Sequence, residues 1–168
     1  MAVVACVWAV QGLYAGEQAD FRAFYAVPGV AFYGVPGNHA LRSGCGGVLA
    51  LGYDLNEPFA VEVSAGCAAL ERWGERGSAA FVPFAVDGLY HFTRWERFDP
   101  VLFAGLGFDY CDRPVFDGRR VTLSVRAGGG FFYHLSEAVS LRGTVAVYRP
   151  SDRAILSFMA SAGVVLYF

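Results

Sequence analysis

The sequence predicts an all-β chain: a closed barrel of eight antiparallel strands, joined up-and-down, that crosses a lipid bilayer. Three observations predict it. The 168 residues are 55% hydrophobic and 16% aromatic but only 17% charged, which is more apolar surface than a soluble domain of this length needs. Past the N-terminus, Gly, Asp, Glu or Arg interrupts the apolar residues every few positions. No run of about 20 apolar residues is left for a helical span. The apolar residues that remain alternate with small and polar ones, and turn residues separate the segments. A membrane-spanning chain without helical spans must satisfy its backbone by closing strands into a barrel.

Residues 1–15 stand apart. Ala2–Val10 is an apolar stretch, followed by Gln11-Gly12 and Leu13-Tyr14-Ala15. This is the form of a secretory signal peptide, with cleavage after Ala15 leaving residues 16–168 as the barrel. No Lys or Arg precedes the stretch, and the other reading is a first strand or a buried helix. The net charge of −2 implies no polyanion-binding surface, hence no nucleic-acid partner. Every basic residue is Arg.

The strands are read as Phe24–Gly34, Gly44–Leu55, Phe59–Leu70, Ala80–Phe92, Val101–Tyr110, Arg120–Leu135, Val139–Tyr148 and Ile155–Phe168. In the sixth, Val121, Leu123, Val125, Ala127, Phe131 and Tyr133 share one face, opposite Thr122, Ser124, Arg126, Gly128, Gly130 and His134. The seventh sets Val139, Leu141, Gly143, Val145 and Val147 against Ser140, Arg142, Thr144 and Tyr148. The polar faces carry Gly, Ser and Thr with isolated charges. A water-facing surface would be crowded with charge, whereas a narrow lumen needs small side chains. The polar face is therefore placed inside and the apolar face toward lipid.

The links alternate as well. Asn56-Glu57-Pro58 and Ser136-Glu137-Ala138 are tight turns. Val35–Ser43, Glu71–Ala79, Cys111–Arg119 and Arg149–Ala154 are longer, and all but the first are rich in charge, as outer loops are. Thr93–Pro100 is long where a short turn is expected. Pairing Leu135 with Val139 sets Phe131 opposite Gly143, an aromatic ring over a cross-strand glycine.

The chain reaches Phe168 through Ser161, Gly163 and Leu166. The pattern of polar, Gly, apolar and terminal aromatic resembles the β-signal read by the outer-membrane assembly machinery. With Gly52-Tyr53-Asp54-Leu55-Asn56 at the end of strand two and Val61-Glu62-Val63 after it, residues 19–168 resemble the OmpA-like eight-stranded outer-membrane β-barrel family. The resemblance implies the bacterial outer membrane, a lipid bilayer around the barrel and the assembly machinery as a partner. It implies no ligand or cofactor.

Glu62, Asp87, Arg126 and Arg142 fall on the predicted lumen face. Charges in a packed eight-stranded interior must pair, so they read as a structural ion network; a proton or ion path that opens by rearrangement is the sharper reading. His134, Ser136 and Glu137 bring to mind the Ser, His and Glu of outer-membrane lipid A deacylases, a lipid-modifying alternative. Their adjacency at a turn weighs against one reacting centre, and no catalytic residue is assigned. An apolar-ligand-binding soluble barrel is the third function considered. His39, His91 and His134 lack metal-ligand spacing, and Gly128-Gly129-Gly130 lies in a strand, where it relieves crowding rather than cradling phosphate.

Pairing Leu55 with Phe59 sets Cys67 opposite Gly47 and Cys45 opposite Ala69. The two cysteines are then diagonal, about 7–8 Å apart, beyond the usual reach of a disulfide. They are read, with Cys111, as free thiols. Arg42, Arg72, Arg76, Arg113, Arg119, Arg149 and Arg153 sit among Glu75, Asp112, Asp117 and Asp152 in the outer segments. Arginine forks suit lipopolysaccharide phosphates; solvated loops are the plainer reading.

Overall fold

A computed structural model describes residues 24–34, 41–72, 77–92, 97–112, 120–150 and 156–168. The strands are β1 (Phe24–Gly34), β2 (Leu41–Asn56), β3 (Phe59–Arg72), β4 (Ser78–His91), β5 (Phe98–Cys111), β6 (Val121–His134), β7 (Val139–Pro150) and β8 (Ser157–Tyr167). Each pairs antiparallel with the next, and β8 closes on β1. The signal-peptide reading of residues 1–15 lies outside the described residues.

Side-chain parity sets the faces. Val121, Leu123 and Val125 are exposed while Ser124 and Phe132 on the opposite parity are buried. The continuous apolar face therefore points outward and the polar residues inward, the reverse of a soluble barrel; apolar side chains such as Tyr25, Phe103 and Phe132 share the lumen with them. The outward face of β5 runs twelve steps from Phe98 to Tyr110. At about 3.3 Å per step and a tilt of about 40°, this covers roughly 30 Å, the depth of a bilayer's hydrocarbon. Aromatic rings mark the end that carries the short turns. Phe24 packs on Tyr53 at 4.6 Å, Phe59 on Tyr90 at 5.3 Å and Phe98 on Phe131 at 5.5 Å. Amphipathic and aromatic rings collect at such membrane borders.

The hairpin registers follow the sequence reading in the membrane and depart from it near the ends. Phe131 faces Gly143, and its Cε1 lies 2.9 Å from where a Cβ on Gly143 would stand. Gly47 faces Cys67 and Cys45 faces Ala69, and Cys45 and Cys67 are free thiols. Leu55 does not pair with Phe59. The register shifts by one at the turn, where Asn56 pairs with Phe59 and its Oδ1 accepts the Phe59 N–H at 3.0 Å. An Asx contact of this kind tightens the turn beyond what residue counting gives.

The other corrections concern strand ends. β2 starts at Leu41, β3 continues to Arg72, β4 starts at Ser78, β5 spans Phe98–Cys111 and β7 reaches Pro150, so each takes residues assigned to links. Charged residues are tolerated in a ladder once it leaves the hydrocarbon, so polarity there does not end a strand. Conversely, Phe92, Arg120, Leu135, Leu156 and Phe168 fall just outside the strands, and Ile155 lies outside the described residues.

Candidate functional site

Among the described residues, the lumen is where the fold gathers polar chemistry. Along β3 the inward residues run Ala60, Glu62, Ser64, Gly66, Ala68 and Leu70; along β4 they run Leu89, Asp87, Ala85, Pro83, Phe81 and Ala79. Glu62 and Asp87 are direct cross-strand partners, both about fully buried at 2% and 1% exposed. Apolar clusters lie on either side of them. Tyr25, Leu89, Phe103, Phe132 and Val165 belong to one, and Tyr33, Leu70 and Phe81 to the other.

Two adjacent carboxylates in such a place need cations. Arg142 on β7 supplies one, with Nη1 bonded to Glu62 Oε2 and Nη2 donating to Oε1 at 3.1 Å. Arg126 on β6 supplies the other. Its Nε donates to Asp87 Oδ1 at 2.6 Å, and its Nη2 reaches Oδ2 and also Ser64 Oγ at 3.0 Å. The structure thus brings Glu62, Asp87, Arg126 and Arg142 together as two fork-to-carboxylate pairs, a geometry that fixes orientation as well as charge. Tyr25 Oη donates to Glu62 Oε2 at 3.3 Å, and the Phe132 ring lies 5.2 Å beneath the Arg142 guanidinium.

Small residues make room for this packing. A Cβ on Gly128 would stand 2.5 Å from Phe103 Cζ, and one on Gly130 would stand 2.8 Å from Thr144 Cγ2. The described residues line two cavities in the lumen. One of about 30 Å³ is lined by Glu62, Ser64, Arg126, Arg142, Thr144 and Ser161, among others. The second, of about 20 Å³, lies toward the loop end beside Tyr33, Asp109 and Tyr148. Each has room for one or a few water molecules.

Sequence reasoning missed a second polar group at the turn end. His91 Nδ1 donates to Asp99 Oδ2 at 2.7 Å, with both side chains buried. Beginning the fifth strand at Val101 leaves Asp99 in a link, whereas its parity with Val101 places it in the lumen. His134 Nδ1 shares a 2.7 Å hydrogen bond with Ser140 Oγ. Ser140 is fully buried, whereas Ser136 and Glu137 are exposed on the turn. His134, Ser136 and Glu137 are therefore not brought together.

Of the terminal pattern, Ser161 faces the lumen and shares a 2.6 Å hydrogen bond with Thr144 Oγ1. Gly163 pairs with Gly29 across the closing seam. Leu166 is outward, and Phe168 is 81% exposed, with its N–H donating to the Phe24 carbonyl at 3.0 Å. His39 and most of the outer-loop arginines lie outside the described residues. Asp112 Oδ1 accepts the Ala80 N–H at 3.0 Å. Among the described residues, no group of three or more His, Cys, Asp or Glu is placed to hold a metal.

Solved structures with this architecture are numerous. Neisserial surface protein A matches with a TM-score of 0.71 at 16% identity, covering 86% of this chain and 97% of that one. OprG from Pseudomonas aeruginosa matches at 0.63 and 14%, covering 89% and 99%. The outer membrane enzyme PagL matches at 0.56 and 18%, covering 87% and 100%. At these identities the likeness is one of fold. No curated protein matches the sequence. The family model described as outer membrane protein beta-barrel domain matches residues 2–160, nearly the whole chain. With lipid-facing apolar strands, a polar lumen and eight-strand closure already in place, the chain belongs to the outer membrane protein beta-barrel domain family and resides in the bacterial outer membrane.

Proposed function

We propose that this protein is a structural or interaction barrel of the outer membrane, closed to solutes and without catalytic activity. The observation that carries the reading is the filled lumen. Two carboxylate–guanidinium pairs stand across its middle, Phe132 is packed beneath Arg142, and the cavities described beside them have room for a few water molecules. On this reading Glu62, Asp87, Arg126 and Arg142 lock the barrel's cross-section, because four buried charges tolerate few alternative arrangements. The strand ending in Ser161, Gly163, Leu166 and Phe168 serves as the assembly signal. The arginine-bearing outer segments meet lipopolysaccharide phosphates.

A lipid-modifying reaction has less support. Ser140 has a histidine partner but is buried from the lipid face, and among the described residues Ser136 has no side-chain hydrogen-bond partner. The test is reconstitution. In planar bilayers the protein should give no persistent solute-sized conductance, and incubated with lipid A it should release no acyl chain by mass spectrometry. A stable open pore would overturn the closed reading; acyl release abolished by His134→Ala would overturn the non-catalytic one.

A further inference from the structure

The β3–β4 ladder has a gap in its pairing. Between β3 and β4 the pairing runs to Ala65↔Phe84, passes over Gly66 and Cys67 opposite Pro83 and Val82, and resumes at Ala68↔Phe81 with no change of register. Proline has no N–H to give the ladder. On the lumen side Gly66 contributes no side chain. A Cβ there would stand 2.8 Å from Tyr33 Oη and 3.2 Å from Pro83 Cγ. Tyr33 is 1% exposed, and its hydroxyl has no hydrogen-bond partner among the described residues. A buried hydroxyl without a partner is costly unless water satisfies it. It adjoins the cavity of about 20 Å³ that Pro83, Asp109, Ser124 and Arg126 also line. On the lipid side stands the exposed thiol of Cys67, opposite Gly47, where a Cβ would meet nothing within 4 Å.

Two comparisons isolate this place. The β1–β8 ladder also passes over a proline, Pro28, with its neighbour Val27. There the buried side chains of Val27 and Val165 fill the inner side. Cys45 is the other lipid-facing thiol, and its rungs are complete on both sides, to Phe32 and to Ala69.

We propose that the β3–β4 wall beside Pro83 is a lateral water window, through which lumen water at the Tyr33 hydroxyl reaches the Cys67 thiol. Cys67 is then a site of covalent modification by small water-borne electrophiles, at a depth where hydrocarbon otherwise keeps a thiol inert. The thiolate is the reacting form, and its proton needs water to leave. With a charged alkyl methanethiosulfonate as the electrophile, the Cys67 sulfur attacks the thiosulfonate sulfur. A mixed disulfide forms, the S–SO₂ bond breaks, methanesulfinate departs, and the thiol proton passes to lumen water.

The test uses the full chain refolded into phosphatidylcholine vesicles. Cys6 and Cys111 are changed to Ser, together with either Cys45 or Cys67. A cationic, membrane-impermeant thiosulfonate should label the protein retaining Cys67 at least roughly tenfold faster than the one retaining Cys45. Pro83→Val, which restores an N–H, should slow Cys67 to the Cys45 rate. Tyr33→Phe, which removes the water's anchor, should also slow it and guards against a Pro83 variant that fails to fold. Equal rates for the two thiols would overturn the proposal, as would a folded Pro83→Val protein that keeps the fast rate.

Discussion

Changing Arg142 to Leu should destabilise the barrel far more than its lost contacts suggest, and changing Glu62 with it should restore much of the loss. In the native lumen, Glu62 is 2% exposed and receives both forks of Arg142. Without Arg142 its remaining hydrogen bond is the one from Tyr25 at 3.3 Å, too little to compensate a buried carboxylate. Orphaning one member of such a pair costs about 3–5 kcal/mol, whereas replacing both by apolar residues is often close to neutral. Each single change should therefore cost about 3 kcal/mol or more. The double change should cost less than the sum by a similar amount. Loss of the guanidinium over the Phe132 ring subtracts at most about 1–2 kcal/mol and appears in every protein lacking Arg142, so it cancels in the cycle. The assay is urea unfolding in detergent for wild type, Arg142→Leu, Glu62→Leu and the double variant. Additivity within about 0.5 kcal/mol would show that the two charges do not stabilise one another, and the ion-network reading would fall.

Four further outcomes are expected. Gly143→Ala should destabilise by about 1 kcal/mol, because its methyl would press on the Phe131 ring. Gly47→Ala, with open space at the Cβ, should stabilise by about 0.4–1 kcal/mol through the unfolded chain; urea midpoints moving in opposite directions check the pair. Deleting Phe168, 81% exposed, should lower the amount of barrel in the cellular outer membrane more than it lowers the stability of refolded protein. Equal effects in fractionation and refolding would mean that the residue is not read during assembly. Intact mass of membrane-extracted protein should correspond to a chain starting at Gly16, and a mature form retaining Met1 would refute export by signal cleavage.

Alternation made the transmembrane part of the fold legible. Val121 to Tyr133 changes face at each residue, and a slip of one position would turn the whole apolar set from lipid to lumen, so the pattern admits one arrangement. Parity also put Glu62, Asp87, Arg126 and Arg142 on one face. It could not say which carboxylate meets which guanidinium, because that depends on barrel curvature and on side chains reaching across the lumen rather than along a rung. Arg142 meets Glu62 across strands that are not neighbours. Asp99 escaped notice for a different reason: a polar residue close to a link reads as loop, and the strand's continuation past the membrane border has no apolar signature. The missing rung at Pro83 was visible as a proline within a strand, but its distinction from Pro28 rests on what fills the inner side, which only packing reveals.

Closure of β8 on β1 sets the order of events in folding. Seven of the eight ladders join strands that follow one another in sequence, so each can form as a hairpin. The eighth pairs Tyr25 with Tyr167, 142 positions apart (167 − 25). By loop-closure entropy this costs roughly 3 kcal/mol more than closing the short β6–β7 hairpin. That seam should therefore form last and slowest, and it is also the seam with rungs missing at Val27 and Pro28. Until it forms, the chain is an open sheet with two bare edges, each able to pair with another copy. The rate of this one step, rather than the stability of the finished barrel, then decides how much of the chain inserts and how much aggregates.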